Sequence, residues 1–231
     1  MAAVEARIGM ACRRAGRAPE DVELLAASKY TDAAGIVELA ACGQRVFGEN
    51  RVQDSEAKVA ELPHQVRKAV RLHMIGHLQT NKARRAAQVF DVVQSVDSLR
   101  VAAELARGAE SRGTPLPVLV QVNVAADPAK DGMPTEQLLR DAATLLAYDS
   151  LEIQGLMTIG ALVEGAETAR PTFVELRAVR DRLSGEWPRA ALRHLSMGMS
   201  ADFEVAIEEG ATIVRVGTAL FGDHHRPRAD G

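Results

Sequence analysis

The chain has 231 residues and is 47% apolar, enough to bury a sizeable core and too apolar for a disordered or peptide-like protein. Charged residues make up 26%, both signs are mixed and the formal net charge is −3, which excludes a strongly basic footprint for nucleic acid or anionic lipid. The two cysteines, Cys12 and Cys42, join no CxxC or Cys/His cluster, so a reducing, cytoplasmic setting without structural zinc is expected.

Taken in chain order, helical periodicity comes first, over residues 4–15. Glu5 and Arg7 interrupt this segment where a signal peptide needs an apolar core, and no later run approaches the ~20 apolar residues of a membrane span. A soluble, unprocessed chain is expected. Aromatic residues are few (five Phe, two Tyr, one Trp), so the core must rest on Ala, Val, Leu and Ile. Short Leu-rich or β-branched runs then alternate with helical stretches: strands at 23–28, 45–47, 71–75, 90–94, 117–123, 151–157, 192–196 and 212–216. The intervening helices are predicted at 32–41, 50–61, 80–88, 97–111, 135–148, 168–183 and 201–209. Asp97 and Ser200 are suited to N-caps, Pro134 to a helix start, and Gly43, Gly113 and Gly210 follow helix ends. Residues 125–134 read as a loop over one end. Eight strands joined by helices, with no linker or composition break, predict one (β/α)8 TIM barrel over residues 1–231, preceded by an extra N-terminal helix and followed by a charged tail at 223–231.

In such a barrel chemistry sits on the loops after each strand. After the first strand comes Ser28-Lys29-Tyr30. A lysine ending an apolar run would be partly desolvated, which favours the neutral amine a Schiff base needs; the alternative is a lysine that snorkels to water at the rim. After the last two strands come Ser196-Met-Gly-Met-Ser200 and Arg215-Val-Gly-Thr218. Gly198 and Gly217 let backbone N–H groups approach an anion, Ser196, Ser200 and Thr218 offer hydroxyls, and a helix starting at Ser200 would add its dipole, so these loops suit a phosphate; the alternative is plain tight turns. No GxGxxG or Walker A sequence occurs, which disfavours a dinucleotide or nucleoside triphosphate. By period-2 alternation Arg215 shares a face with Gly217 while Val214 and Val216 take the other. It needs a partner there: an ion pair with Asp202 or Glu204, or a ring nitrogen or anion. His73 and His77 straddle a strand and its loop and are not expected to bind metal. His224 and His225 belong to the tail, and Asp91 and Glu152 read as solvated faces.

A lysine after the first strand and a phosphate cup after the last two would suit pyridoxal 5′-phosphate (PLP). The segments Ala27-Ser-Lys29, Phe47-Gly-Glu-Asn-Arg-Val-Gln53, His73-Met-Ile-Gly-His-Leu-Gln-Thr-Asn-Lys82, Gln121-Val-Asn123, Gly155-Leu-Met157, Leu195-Ser-Met-Gly-Met-Ser-Ala-Asp202 and Val214-Arg-Val-Gly-Thr-Ala-Leu-Phe-Gly222 strongly resemble the YggS/PROSC family of PLP homeostasis proteins. The resemblance runs from about residue 4 to 222. It implies the barrel of the alanine racemase N-terminal domain, with PLP as a Schiff base on Lys29. It further implies phosphate contacts from Ser196, Ser200, Gly217 and Thr218, Arg215 facing the pyridine nitrogen, Asn50 near the ring and Met157 among the cofactor contacts. Tyr30-Thr31-Asp32 departs from the family, which tends to show Thr and then Pro two positions further on, and Arg51 stands where Tyr is more usual. Lys130 matches a family lysine.

An arginine beside the pyridine nitrogen would make the ring a weak electron sink. Racemisation would need a second base, which barrel racemases draw from a further domain not expected here. The expected function is therefore intracellular PLP storage, buffering or delivery by a monomer, with no catalytic residue assigned. PLP and PLP-dependent apoenzymes are the expected partners. The alternatives are a slow amino-acid racemase using Lys29 and Tyr30, and a Schiff-base aldolase or phosphosugar isomerase.

Overall fold

A computed structural model describes residues 1–125, 127, 130–160, 165–188 and 190–221. The tail with His224 and His225, and part of the loop at 125–134, lie outside the described residues. The barrel strands are β1 (Glu23–Ala27), β2 (Val46–Glu49), β3 (Arg71–Met74), β4 (Val92–Val96), β5 (Leu116–Asn123), β7 (Leu151–Met157), β8 (His194–Ser196) and β9 (Ile213–Val216). All pair in parallel in the order β4-β3-β2-β1-β9-β8-β7-β5, and a β4–β5 pairing closes the ring. This is the predicted TIM barrel. Each predicted strand is found within about two residues, as local alternation allows.

The loop at 125–134 holds one element that was not predicted, the two-residue strand β6 (Met133–Pro134), which pairs with the end of β5. Gly132, at φ +127°, makes this approach possible, since a Cβ there would lie 2.7 Å from the Asn123 nitrogen. The helices are α1 (Ala2–Arg14), α2 (Ala33–Ala41), α3 (Val52–Glu61), α4 (His64–Ala69), α5 (Ala83–Val89), α6 (Leu99–Ala109), α7 (Thr135–Leu146), α8 (Arg170–Glu186), α9 (Phe203–Glu208) and α10 (Thr218–Phe221). The two that were not predicted, α4 and α10, are one-turn to two-turn pieces too short to show a period.

Two expected caps are corrected. The α6 cap is Ser98, whose hydroxyl accepts the Val101 N–H, while Asp97 accepts the Ser98 hydroxyl. Helix α9 begins at Phe203 after the Asp202 cap, so Ser200 does not cap it. Asp91 is also more than a solvated face: its carboxylate accepts the Leu72 N–H at 2.8 Å and pairs with Arg67.

Alternation along the strands divides the core in two. Leu25, Val46, Leu119, Met157 and Ile213 form the barrel interior with Ile75 and Ile159, while Ala26, Phe47, Val118, Val120, Leu156, Val214 and Val216 face the helices. Val4, Ile8, Ala11 and Cys12 bury one stripe of α1. This stripe is clamped to α9 by Arg7, which pairs with Glu204 and lies 4.5 Å over the Phe203 ring. Among the described residues no helix is long and apolar enough to cross a membrane.

Candidate functional site

Arg215 points into the barrel interior, as alternation requires, and is 5% exposed. Neither expected carboxylate bonds it: Glu204 is taken by Arg7, and Asp202 accepts the Met199 N–H at 2.6 Å and acts on Arg215 only through space. Its Nη1 donates instead to Ser196 Oγ at 2.7 Å and its Nη2 to the Thr158 carbonyl at 2.8 Å. Desolvation lowers its pKa to about 10, partly offset by Asp202. It therefore remains a cation at neutral pH.

That cation sets the direction of a chain of hydrogen bonds across the interior. Ser196 accepts from Arg215, so its own hydrogen goes to Gln94 Oε1 at 2.6 Å; this turns the Gln94 amide nitrogen toward His73 Nδ1 at 2.8 Å. His73 must then accept at Nδ1 and stay neutral. Burial, with Arg71 and His194 adding to it, pushes its pKa down to about 3, consistent with that assignment. Its Nε2 has no hydrogen-bond partner among the described residues.

Lys29 lies beyond the end of β1 at the rim. Of the two readings of Lys29, the structure shows the exposed one: the β1 register stops at Ala27, Lys29 is exposed, and its Nζ lies 4.6 Å over the Tyr30 ring. Asn50, half-buried just past β2, borders a groove of about 410 Å³ with Arg51, Met74, His77 and Lys82. Gly76 allows Asn50 to sit there, since a Cβ at 76 would come within 2.4 Å of the Asn50 carbonyl.

The two small-residue loops meet. Gly198 takes φ +91°, where a Cβ would strike Ala206 at 2.5 Å and Phe203 at 2.9 Å, so the chain turns tightly over α9. Ser200 Oγ then accepts the Gly217 N–H at 3.4 Å, and Thr218 is exposed at the start of α10. Gly217 lies against Ala27, the residue two before Lys29, at 3.3 Å from its carbonyl to the position of a Cβ. Met157 is fully buried in the interior cluster below.

The predicted site residues thus come from five strands that are adjacent in the barrel: Asn50 follows β2, Lys29 β1, Arg215 and Gly217-Thr218 belong to β9 and its loop, Ser196 and Ser200 to β8 and its loop, and Met157 ends β7. Sequence reasoning missed Glu49, Lys58 and Gln94. Glu49 and Gln94 lie inside strands, where a polar residue among apolar neighbours is the available signal, Glu49 ending Val-Phe-Gly-Glu and Gln94 beside Ser95 between valines. His77 Nδ1 lies 3.4 Å from Asp97 and 3.3 Å from Asp131, and Lys130 donates to the Gly160 carbonyl at 3.3 Å, so both tie mouth loops together. Among the described residues no cluster of three or more His, Cys, Asp or Glu could hold a metal ion.

The family model of the alanine racemase N-terminal domain matches residues 1–225. The pyridoxal phosphate homeostasis protein of Aquifex aeolicus is 43% identical over 217 residues, covering 94% of this chain and 93% of that one. PipY of Synechococcus elongatus, solved with PLP bound, is 39% identical with a TM-score of 0.82, covering 95% of this chain and all of that one. Alanine racemase of Clostridium difficile shares the fold at a TM-score of 0.70 and 17% identity, and this chain covers 56% of it. The chain belongs to the alanine racemase N-terminal domain family and, within it, to the pyridoxal phosphate homeostasis proteins.

Proposed function

We propose that this chain is a PLP-binding homeostasis protein, one unit from residue 1 to 231, that stores, buffers or delivers the cofactor as a cytoplasmic monomer without robust turnover of its own. The observation that carries the reading is the convergence of a rim lysine, a buried arginine and two hydroxyl-bearing loops on neighbouring strand ends. The names and the PLP-bound structure of close relatives support it.

The donor set fits the group. Among the described residues Ser200 Oγ accepts one long bond, from the Gly217 N–H, which leaves its hydrogen for a phosphate oxygen, and the exposed Thr218 hydroxyl follows Gly217 in the chain. Arg215 uses two N–H groups on Ser196 and Thr158 and retains further donors on its fork for a ring nitrogen. Met157 closes the floor, and Asn50 borders the ring side. Lys29 would hold PLP through its amine, and the cofactor would supply the aldehyde with which that amine reacts with loss of water. Exposure makes the Lys29 amine reachable by cofactor entering from solvent and by an incoming amine that would displace it. PLP-dependent apoenzymes are the natural receivers.

Low turnover follows from Arg215. With a pKa of about 10 it keeps its charge at neutral pH, and a cation facing the pyridine nitrogen disfavours protonation of that nitrogen. Arg215 would thereby leave the ring a weak electron sink. The second reading, a slow amino-acid racemase, has one observation in its favour: the Tyr30 ring lies directly against Lys29, so two proton-carrying groups share the rim.

The test is spectroscopic and covalent. The chain mixed with PLP is expected to show a new absorbance band that borohydride removes, leaving a label on the peptide that contains Lys29. Lys29→Ala should lose both. Equal fixation of the cofactor on the Ala variant would overturn the assignment.

A further inference from the structure

Glu49 is 1% exposed, yet it is charged and faces the helix layer rather than the barrel interior. Its partner is Lys58 of α3, whose Nζ donates to Glu49 Oε1 at 2.8 Å, to Glu49 Oε2 at 3.0 Å and to the Ser28 carbonyl at 2.7 Å. Ser28, fully buried, returns its hydroxyl hydrogen to Glu49 Oε1 at 2.6 Å and its N–H to the Gly48 carbonyl at 2.9 Å. Glu49 also accepts the Ile75 N–H through its own carbonyl at 2.9 Å, so three strand ends are tied at one point.

The placement of this knot is informative. The register of β1 against β2 ends at Ala27↔Gly48, and among the described residues the Ser28 N–H bond to the Gly48 carbonyl is the last backbone bond between the two before Lys29. The ion pair takes over where the ladder stops. Ser28 immediately precedes Lys29 and Glu49 immediately precedes Asn50, and a planar peptide passes the orientation of the Ser28 carbonyl on to the Lys29 N–H. Stability alone is a poor reason for such a pair, because replacing a buried ion pair with apolar residues of similar size is often neutral or stabilising. We propose that Glu49 and Lys58 are positioning residues that hold the backbone of Lys29 and Asn50 in register for the condensation of Lys29 with a cofactor aldehyde. This rests on Lys29 being the PLP lysine.

The test compares two ligands on the full chain. PLP with borohydride reports the rate at which Lys29 is covalently labelled. The probe 4′-deoxypyridoxine 5′-phosphate has the ring and phosphate but no aldehyde, and reports the non-covalent cup. The variant Glu49→Leu with Lys58→Met is expected to keep a cooperative thermal transition and to label Lys29 about tenfold more slowly or worse, with affinity for the deoxy probe within about twofold of the parent. Lys58→Arg alone, which keeps a cation beside Glu49, should retain part of the labelling rate that the double variant loses. Labelling of the double variant at the parental rate overturns the inference, and so does an equal loss of labelling rate and deoxy-probe affinity, which would mark general damage to the mouth. A parent chain that takes no label on Lys29 overturns the reading of Lys29 itself, and this inference with it.

Discussion

The protonation of two interior side chains is coupled through neutral neighbours: Arg215 donates, Ser196 and Gln94 pass the direction on, and His73 accepts. A neutral His73 has a measurable consequence. Its folded pKa of about 3 lies below the unfolded histidine value near 6.5, so below that value the unfolded chain binds a proton that the folded chain refuses. Stability is therefore expected to fall as pH drops below about 6.5, at a limiting slope of about 1.4 kcal/mol per pH unit from this group. His194, lowered by burial and by Arg193, acts in the same direction. Comparing urea midpoints at pH 7 and pH 5 for the parent and His73→Gln isolates the His73 share; an unchanged pH slope in the variant would argue against a buried neutral histidine. At Ser200 the expected effect is on binding. A hydrogen bond to a charged group is worth about 1.5–3 kcal/mol, so Ser200→Ala should weaken PLP binding about tenfold or more, read by titration; unchanged affinity would remove Ser200 from the phosphate site. Alternation made the inward aim of Arg215 legible in the sequence. Its partners were not, because Ser196 and Thr158 come from other strands and their approach is set by barrel closure.

The elements that carry the site are short, and their joints matter more than their interiors. The turn from β8 to α9 depends on Gly198, which has both a left-handed φ and no room for a Cβ. Gly113, after α6, shares the left-handed φ (+76°) but has nothing within 4 Å of a Cβ. The pair separates two causes. Gly113→Ala should cost only the conformational strain of a residue in that region, about 1–2 kcal/mol, with PLP binding unchanged. Gly198→Ala adds the collision with Ala206 and Phe203 and should cost more in thermal stability while also weakening PLP. Equal losses in both, with no effect on binding, would show that the β8–α9 turn does not shape the cup. Helix identities were legible from period 3.6, but the capping residues were less so: Asp32, whose carboxylate accepts the Gly35 N–H at 3.0 Å, was not among the expected caps. The start of α9 was misplaced because Ser200 has cap chemistry, but the chain uses that hydroxyl on the Gly217 N–H and gives the α9 cap to Asp202. Local composition cannot choose between two such uses.

At the scale of the molecule, the barrel was legible because eight apolar runs of strand length alternate with helices, and the right-handed parallel connection leaves few other closures. The strand order then places residues far apart in the chain, from Lys29 to Thr218, around one mouth. The sequence left Lys29 open between a desolvated and a snorkelling side chain, since the outcome depends on where the β1 ladder ends. The Glu49–Lys58 knot was hidden for the same reason, joining a strand to a helix face across the outer layer.

Under the proposed function the assembly is a cofactor carrier, with Lys29 as a reachable anchor at the rim, the Ser200 and Gly217-Thr218 loops as the proposed phosphate cup and Arg215 as the cation in the interior. The most direct measurement mixes the PLP-loaded chain with L- and D-alanine in deuterated water and follows both released cofactor and deuterium at the α-carbon. The expected result is departure of cofactor from Lys29 with α-exchange far slower than about 1 s⁻¹ and no loss of optical purity. Exchange and racemisation within the usual enzymatic range of about 1–10³ s⁻¹ would contradict the carrier and establish a racemase.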